Sequence, residues 1–209
     1  MCTCQDFRHP VPRKKHPGWS AAHQANTKRF KTDDYGIAQY DLVLLGDDEV
    51  ENLNGFAYNT PIQSSKAYND YFKEMFTYEN GTSNVNSVAL GISGDSVRPQ
   101  RPIWQTHSLC THKTYASLTR KPWGLTPFSQ AANVLWRIEH GEFPEYLDTN
   151  IFWITLGLGD LVGGGCSEEA TLLGILRIYE AVHTLFPQSV VVIQAILPYT
   201  SSNGQLDAL

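Results

Sequence analysis

Asp41-Leu42-Val43-Leu44-Leu45-Gly46-Asp47-Asp48 decides the fold. A short apolar run closed by Gly-Asp reads as a buried strand that ends in a tight turn. That turn presents the next side chain, Asp48, at the carboxyl end of a parallel sheet, where open α/β sheets bind ligands.

On both sides of this run the chain alternates helical and extended patterns. Residues 1–18 carry Pro10, Pro12 and Pro17 and read as an extended arm before one domain over 19–209. Trp19 to Phe30 reads as a short helix, and Ile62 to Phe76, with Tyr68, Tyr71, Phe72 and Phe76, has helical spacing. Asn86 to Ile92 is a second strand, Asn133 to His140 a helix, and Ile151 to Leu156 a third strand that stops at Gly157. Ser167 caps a long helix, with Glu168 and Glu169 where the helix dipole favours anions. Leu172, Leu173, Leu176, Tyr179, Val182 and Leu185 are expected to face the core. Pro187 stops that helix, and Val190 to Leu197 is a fourth strand. Strands alternating with helices imply a parallel sheet covered on both faces, an α/β domain.

The bulk numbers agree with this class and exclude others. A chain of 209 residues with 42% apolar and 18% charged residues can bury one α/β core. A net charge of −5 disfavours a nucleic-acid surface. No apolar run is long enough to span a bilayer, and the N-terminus lacks a signal-peptide core. The short basic cluster Arg13-Lys14-Lys15 reads as a solvated arm. Cys2, Cys4, Cys110 and Cys166 lack zinc-finger spacing, so reduced thiols in a cytoplasmic chain are expected, with no metal and no cofactor. Cys166 reads as a structural cysteine, Trp136 as core, and His183 as an exposed or packed histidine.

Three strand ends invite comparison: Gly46-Asp47-Asp48, Gly91-Ile92-Ser93-Gly94-Asp95-Ser96 and Gly157-Leu158-Gly159-Asp160. Asp95 and Asp160 are read as ordering their turns. The second block is followed by Asn133-Val134-Leu135-Trp136-Arg137-Ile138-Glu139-His140-Gly141-Glu142, and the last strand by Ile193-Gln194-Ala195-Ile196-Leu197-Pro198. In this order the blocks resemble the SGNH/GDSL hydrolases, especially the group similar to the platelet-activating-factor acetylhydrolase catalytic subunit, over roughly residues 16 to 198.

The resemblance implies a flavodoxin-like three-layer α/β/α domain and hydrolysis of a small ester or acylated substrate through a serine. Asp48 stands where that serine belongs, Gly94 matches the oxyanion-hole glycine, and Gly159 stands where the oxyanion-hole asparagine belongs. The family's closing Asp-x-x-His block has no counterpart near the C-terminus, so the domain is expected to be C-terminally incomplete; Asp6-Phe7-Arg8-His9 fits by letters but lies in the arm. A carboxylate at position 48 is a poor nucleophile and repels a developing oxyanion. Nucleophile and base act as a unit, so an impaired hydrolase is expected. The alternative is a non-catalytic binding or scaffold protein that retains the fold.

Val97 to Gln130 interrupts the spacing of the resemblance. It holds no Asp or Glu, although the chain has 21, and it shows no periodicity. Two readings compete, a surface loop over the site and a translated intron. Removing the stretch joins Gly94-Asp95-Ser96 to Ala131-Ala132-Asn133, which is the family spacing. Trp104, His107, Cys110, His112 and Trp123 within it are therefore not read as a site.

Overall fold

A computed structural model describes residues 10–13, 17–63, 65–76, 85–92, 130–162 and 166–196. In chain order the elements are α1 (Pro17–Thr27), β1 (Ala38–Gly46), α2 (Asp48–Leu53), β2 (Phe56–Ala57), β3 (Thr60–Pro61), α3 (Ser65–Met75), β4 (Ser87–Gly91), α4 (Gln130–Glu139), β5 (Leu147–Thr155), α5 (Leu158–Val162), α6 (Glu168–Leu185) and β6 (Val190–Ile193). Four strands form one sheet in the order β4-β1-β5-β6, every pair parallel.

Helices cover both faces. Val43, Leu45, Leu90, Phe152 and Ile154 pack on Val134, Leu135 and Ile138 of α4 and on Ile178 and Val182 of α6. On the other face Leu44 and Ala89 meet Val50 and Leu53 of α2 and Phe72 and Phe76 at α3. Trp19 and Ala22 dock α1 beside α4, against Ile92 and Trp136. This is a flavodoxin-like three-layer α/β/α fold. Each fully buried aliphatic or aromatic side chain contributes roughly 1.5–3 kcal/mol.

The strands begin earlier than the apolar runs suggest. β1 starts at Ala38 and β5 at Leu147. Within β1 the N–H groups of Asp41 and Leu42 both donate to Asn86 O, at 2.8 and 3.3 Å. The buried positions change there from Ala38 and Tyr40 to Val43 and Leu45, as they change in β5 from Leu147 and Thr149 to Phe152 and Ile154. α1 likewise opens two residues early, at Pro17, whose fixed φ suits a first helical position. β6 stops at Ile193, short of Leu197.

The long helix α6 is capped by Ser167, whose Oγ accepts from Ala170 N at 3.2 Å. Its inward face differs from the expected one. Thr171, Gly174, Ile175, Ile178 and Val182 are buried. Leu172 (56% exposed), Leu173 (51%), Leu176, Tyr179 and Leu185 face outward, and of the six expected core residues only Val182 is inside. Close packing is the reason: a Cβ on Gly174 would lie 2.6 Å from Ala131 Cβ, so the small face of α6 turns to α4. Residues 97–129 of the expected insert lie outside the described residues, and Gln130 is the first residue of α4. Among the described residues no helix is long and apolar enough to cross a membrane.

Two substitutions check the orientation of α6 in urea unfolding. Leu173→Gln should change stability by no more than about 0.5 kcal/mol. Ile178→Ala should cost about 2–5 kcal/mol. Equal losses from both would contradict the burial pattern.

Candidate functional site

In chain order the four strands run second, first, third, fourth across the sheet, so the order reverses between β1 and β5. Ligands of open parallel sheets bind at such a switch point, beyond the carboxyl ends of the strands. Gly46 is level with Gly91 of β4 and with Thr155 of β5. The end of β1 that leads into Asp48 therefore lies beside the end of β5 that leads toward Gly159; Gly94 lies outside the described residues.

Asp47 is buried and caps α2, its Oδ1 accepting from Glu49 N at 3.1 Å. Asp48 follows as the first residue of α2 and is half-buried. The turn is held tightly against β4. A Cβ at Gly91 would stand 2.0 Å from Glu51 N and 2.4 Å from Asp47 O, so only glycine fits there. Asn54 Nδ2 ties the far end of α2 to Ala89 O at 2.8 Å. Glu51, also buried, accepts from Tyr58 N and Asn59 N at 3.0 and 2.8 Å. These two non-glycine residues have φ of 51° and 57°, the geometry of a tight hairpin turn between β2 and β3.

At the end of β5 the chain turns through Gly157, with φ of 108°. Gly159 and Asp160 sit in the short helix α5, not in an open turn. Asp160 is buried, and its carbonyl accepts from Cys166 N at 2.9 Å. Cys166 is disulfide-bonded, which corrects the expectation of reduced thiols for this residue.

A buried polar network lies directly under the strand ends, and the sequence reading missed it. Arg137 and Glu142 are fully buried. The Arg137 guanidinium donates to both Glu142 carboxylate oxygens, at 2.9 and 2.6 Å, and to Gly46 O at 3.2 Å and Leu90 O at 2.7 Å. Asn26 Nδ2 donates to Glu142 Oε1 and Gly91 O, and His23 Nδ1 lies 3.0 Å from Glu142 Oε2. Burial pushes the Glu142 carboxyl upward, but the Arg137 charge and the hydrogen bonds from Arg137 and His23 overcome it and hold the group at about 2.

The described histidines are engaged in packing. His23 is buried beside Trp19 and Trp136. His140 stacks on Trp136 at 3.9 Å. His183 stacks on Tyr179 in the last turn of α6, toward the amino ends of the strands. A polar hollow of about 350 Å³ also opens toward the amino ends, lined by Gln39, Tyr40, Asp41, Asn86, Asp148 and Asn150. Asp41 there accepts from Asn86 N and Asn150 Nδ2, and the general rule for open parallel sheets favours the carboxyl strand ends as the candidate site. Among the described residues no group of three or more His, Cys, Asp or Glu side chains is arranged to hold a metal. Compared with known proteins, the chain matches no family model and no curated relative.

The network sets a pH dependence. An unfolded glutamate titrates near ~4.3, above the folded value of about 2. Its stabilisation is therefore complete above the unfolded value and is lost as pH falls toward 2. Glu142→Gln should cost about 3–5 kcal/mol at pH 7, because it leaves the Arg137 charge buried and uncompensated. The same variant should flatten the acid limb of stability between pH 5 and 2 in urea titrations.

Proposed function

We propose that this chain is an SGNH/GDSL-type hydrolase, similar to the platelet-activating-factor acetylhydrolase catalytic-subunit group, whose ester site has lost its serine and with it ordinary turnover. The observation that carries the reading is the position of Asp48: it opens α2 at the carboxyl end of the central strand, at the switch point, beside the β5 turn. An acyl hydrolase needs its nucleophile at such a tip, with donors aimed from neighbouring strand ends. Asp48 supplies a carboxylate in place of a hydroxyl, and Gly159 supplies no side-chain amide. The substrate class is a small ester or acylated molecule.

The second reading is a binding or scaffold protein that keeps the fold. It is favoured by the histidines: His23 commits Nδ1 to Glu142, and His140 and His183 stack on aromatic neighbours. A hydrolase needs an imidazole free to take a proton from the nucleophile.

Hydrolysis of p-nitrophenyl butyrate tests the proposal. The protein should not exceed a heat-killed control. Asp48→Ser alone should restore little, because the missing amide donor by itself typically costs ~10²–10³ in rate. Saturable turnover that vanishes in Asp48→Ala would refute the loss of activity. Ordinary esterase rates in Asp48→Ser would identify a working base.

A further inference from the structure

Asn133 is a buried polar side chain of α4 that the network leaves out. It is 1% exposed, yet neither Nδ2 nor Oδ1 has a hydrogen-bond partner. Native interiors rarely hold such a group without a reason. Arg137 stands one turn later on the same face of the helix and reaches the carbonyls at the ends of β1 and β4. α4 links two parallel strands and so runs against their direction. Helical side chains lean toward the helix N-terminus. Asn133 therefore stands beyond those carbonyls, on the side of the sheet where the strands end and the Asp47-Asp48 turn begins. It also stands in the first turn of α4, the positive end of the helix.

The chemistry of the group selects its ligand. A carboxamide offers two donors and one acceptor side by side. Asp47, Asp48 and Asp160 at the neighbouring strand ends oppose an anion. The matching ligand is uncharged and carries a carbonyl next to an N–H or O–H. We infer that Asn133 is a ligand-binding residue whose side-chain amide receives the carbonyl end of a small uncharged acyl compound, an amide. The ligand class rests on the acyl-site reading above; the position of the amide does not.

The test uses the full chain, butyramide as probe and butyrate as charged control. The Asn133 side-chain ¹⁵N–¹H signals, identified by their loss in Asn133→Leu, should shift saturably with butyramide and stay fixed with butyrate. Asn133→Leu should bind butyramide at least tenfold more weakly, followed on backbone amide signals. It should also melt higher, by about 2–4 °C, because an unmet buried amide is removed. A lower melting temperature would mean that the amide is structural, and a missing or non-saturating shift would mean an ordered water only; either overturns the inference. Ester turnover by the wild-type protein would overturn the loss-of-activity proposal while leaving this one standing, so the two failures are distinguishable.

Discussion

The fully buried pair of Arg137 and Glu142 is the interaction on which the carboxyl edge of the sheet depends. Taking two charges out of water costs several kcal/mol per ion, and attraction recovers it only with excellent geometry. Here the geometry is a two-pronged contact, and two further donors of Arg137 go to Gly46 O and Leu90 O. A hydrophobic pair of equal volume would avoid the desolvation but leave those carbonyls without donors. What the ions contribute is position. One guanidinium ties β1 to β4 at the level where both strands end, and Glu142 extends the tie through Asn26 and His23 to α1.

Because the strand ends are held from below, the residue presented above them can change without loss of the fold. Asp47 caps α2, and Asp48 adds a second anion to a helix start, where negative charge is tolerated. Gly91 keeps the first turn of α2 pressed on β4 whatever stands at position 48. A carboxylate that is unsuitable as an acyl nucleophile is thus structurally acceptable. Fold and chemistry are separable here because they rest on different residues.

The parallel sheet and its long helices were legible because they follow simple rules. Apolar runs mark β1, β4, β5 and β6, and Ser167 with two glutamates marks the start of α6. The rest was hidden for identifiable reasons. α2 and α5 are too short to show a period. The β2–β3 turn uses Tyr58-Asn59 in place of a glycine signal, and the group that satisfies it, Glu51, lies outside the hairpin. α6 is apolar on two faces, so composition could not tell the inner one; a close approach at Gly174 decides it. Of the candidate site, the places of Asp48 and Gly159 just after β1 and β5 were legible. Arg137 and Glu142 were not, since charged residues on a helix ordinarily read as solvated.

Asn133 and Arg137 lie one helical turn apart and are buried to the same degree, yet one has no partner and the other has several. Burial alone therefore does not distinguish these two groups; satisfaction does. A satisfied group converts its desolvation cost into fixed geometry, as Arg137 does at the strand ends. An unsatisfied group keeps that cost in the folded state, and only a ligand or a water can offset it. With the strand ends immobilised by Arg137, the amide one turn beyond is held at a constant distance from them. That is the condition under which an unmet hydrogen-bonding group can discriminate between ligands instead of reorganising to meet its own needs.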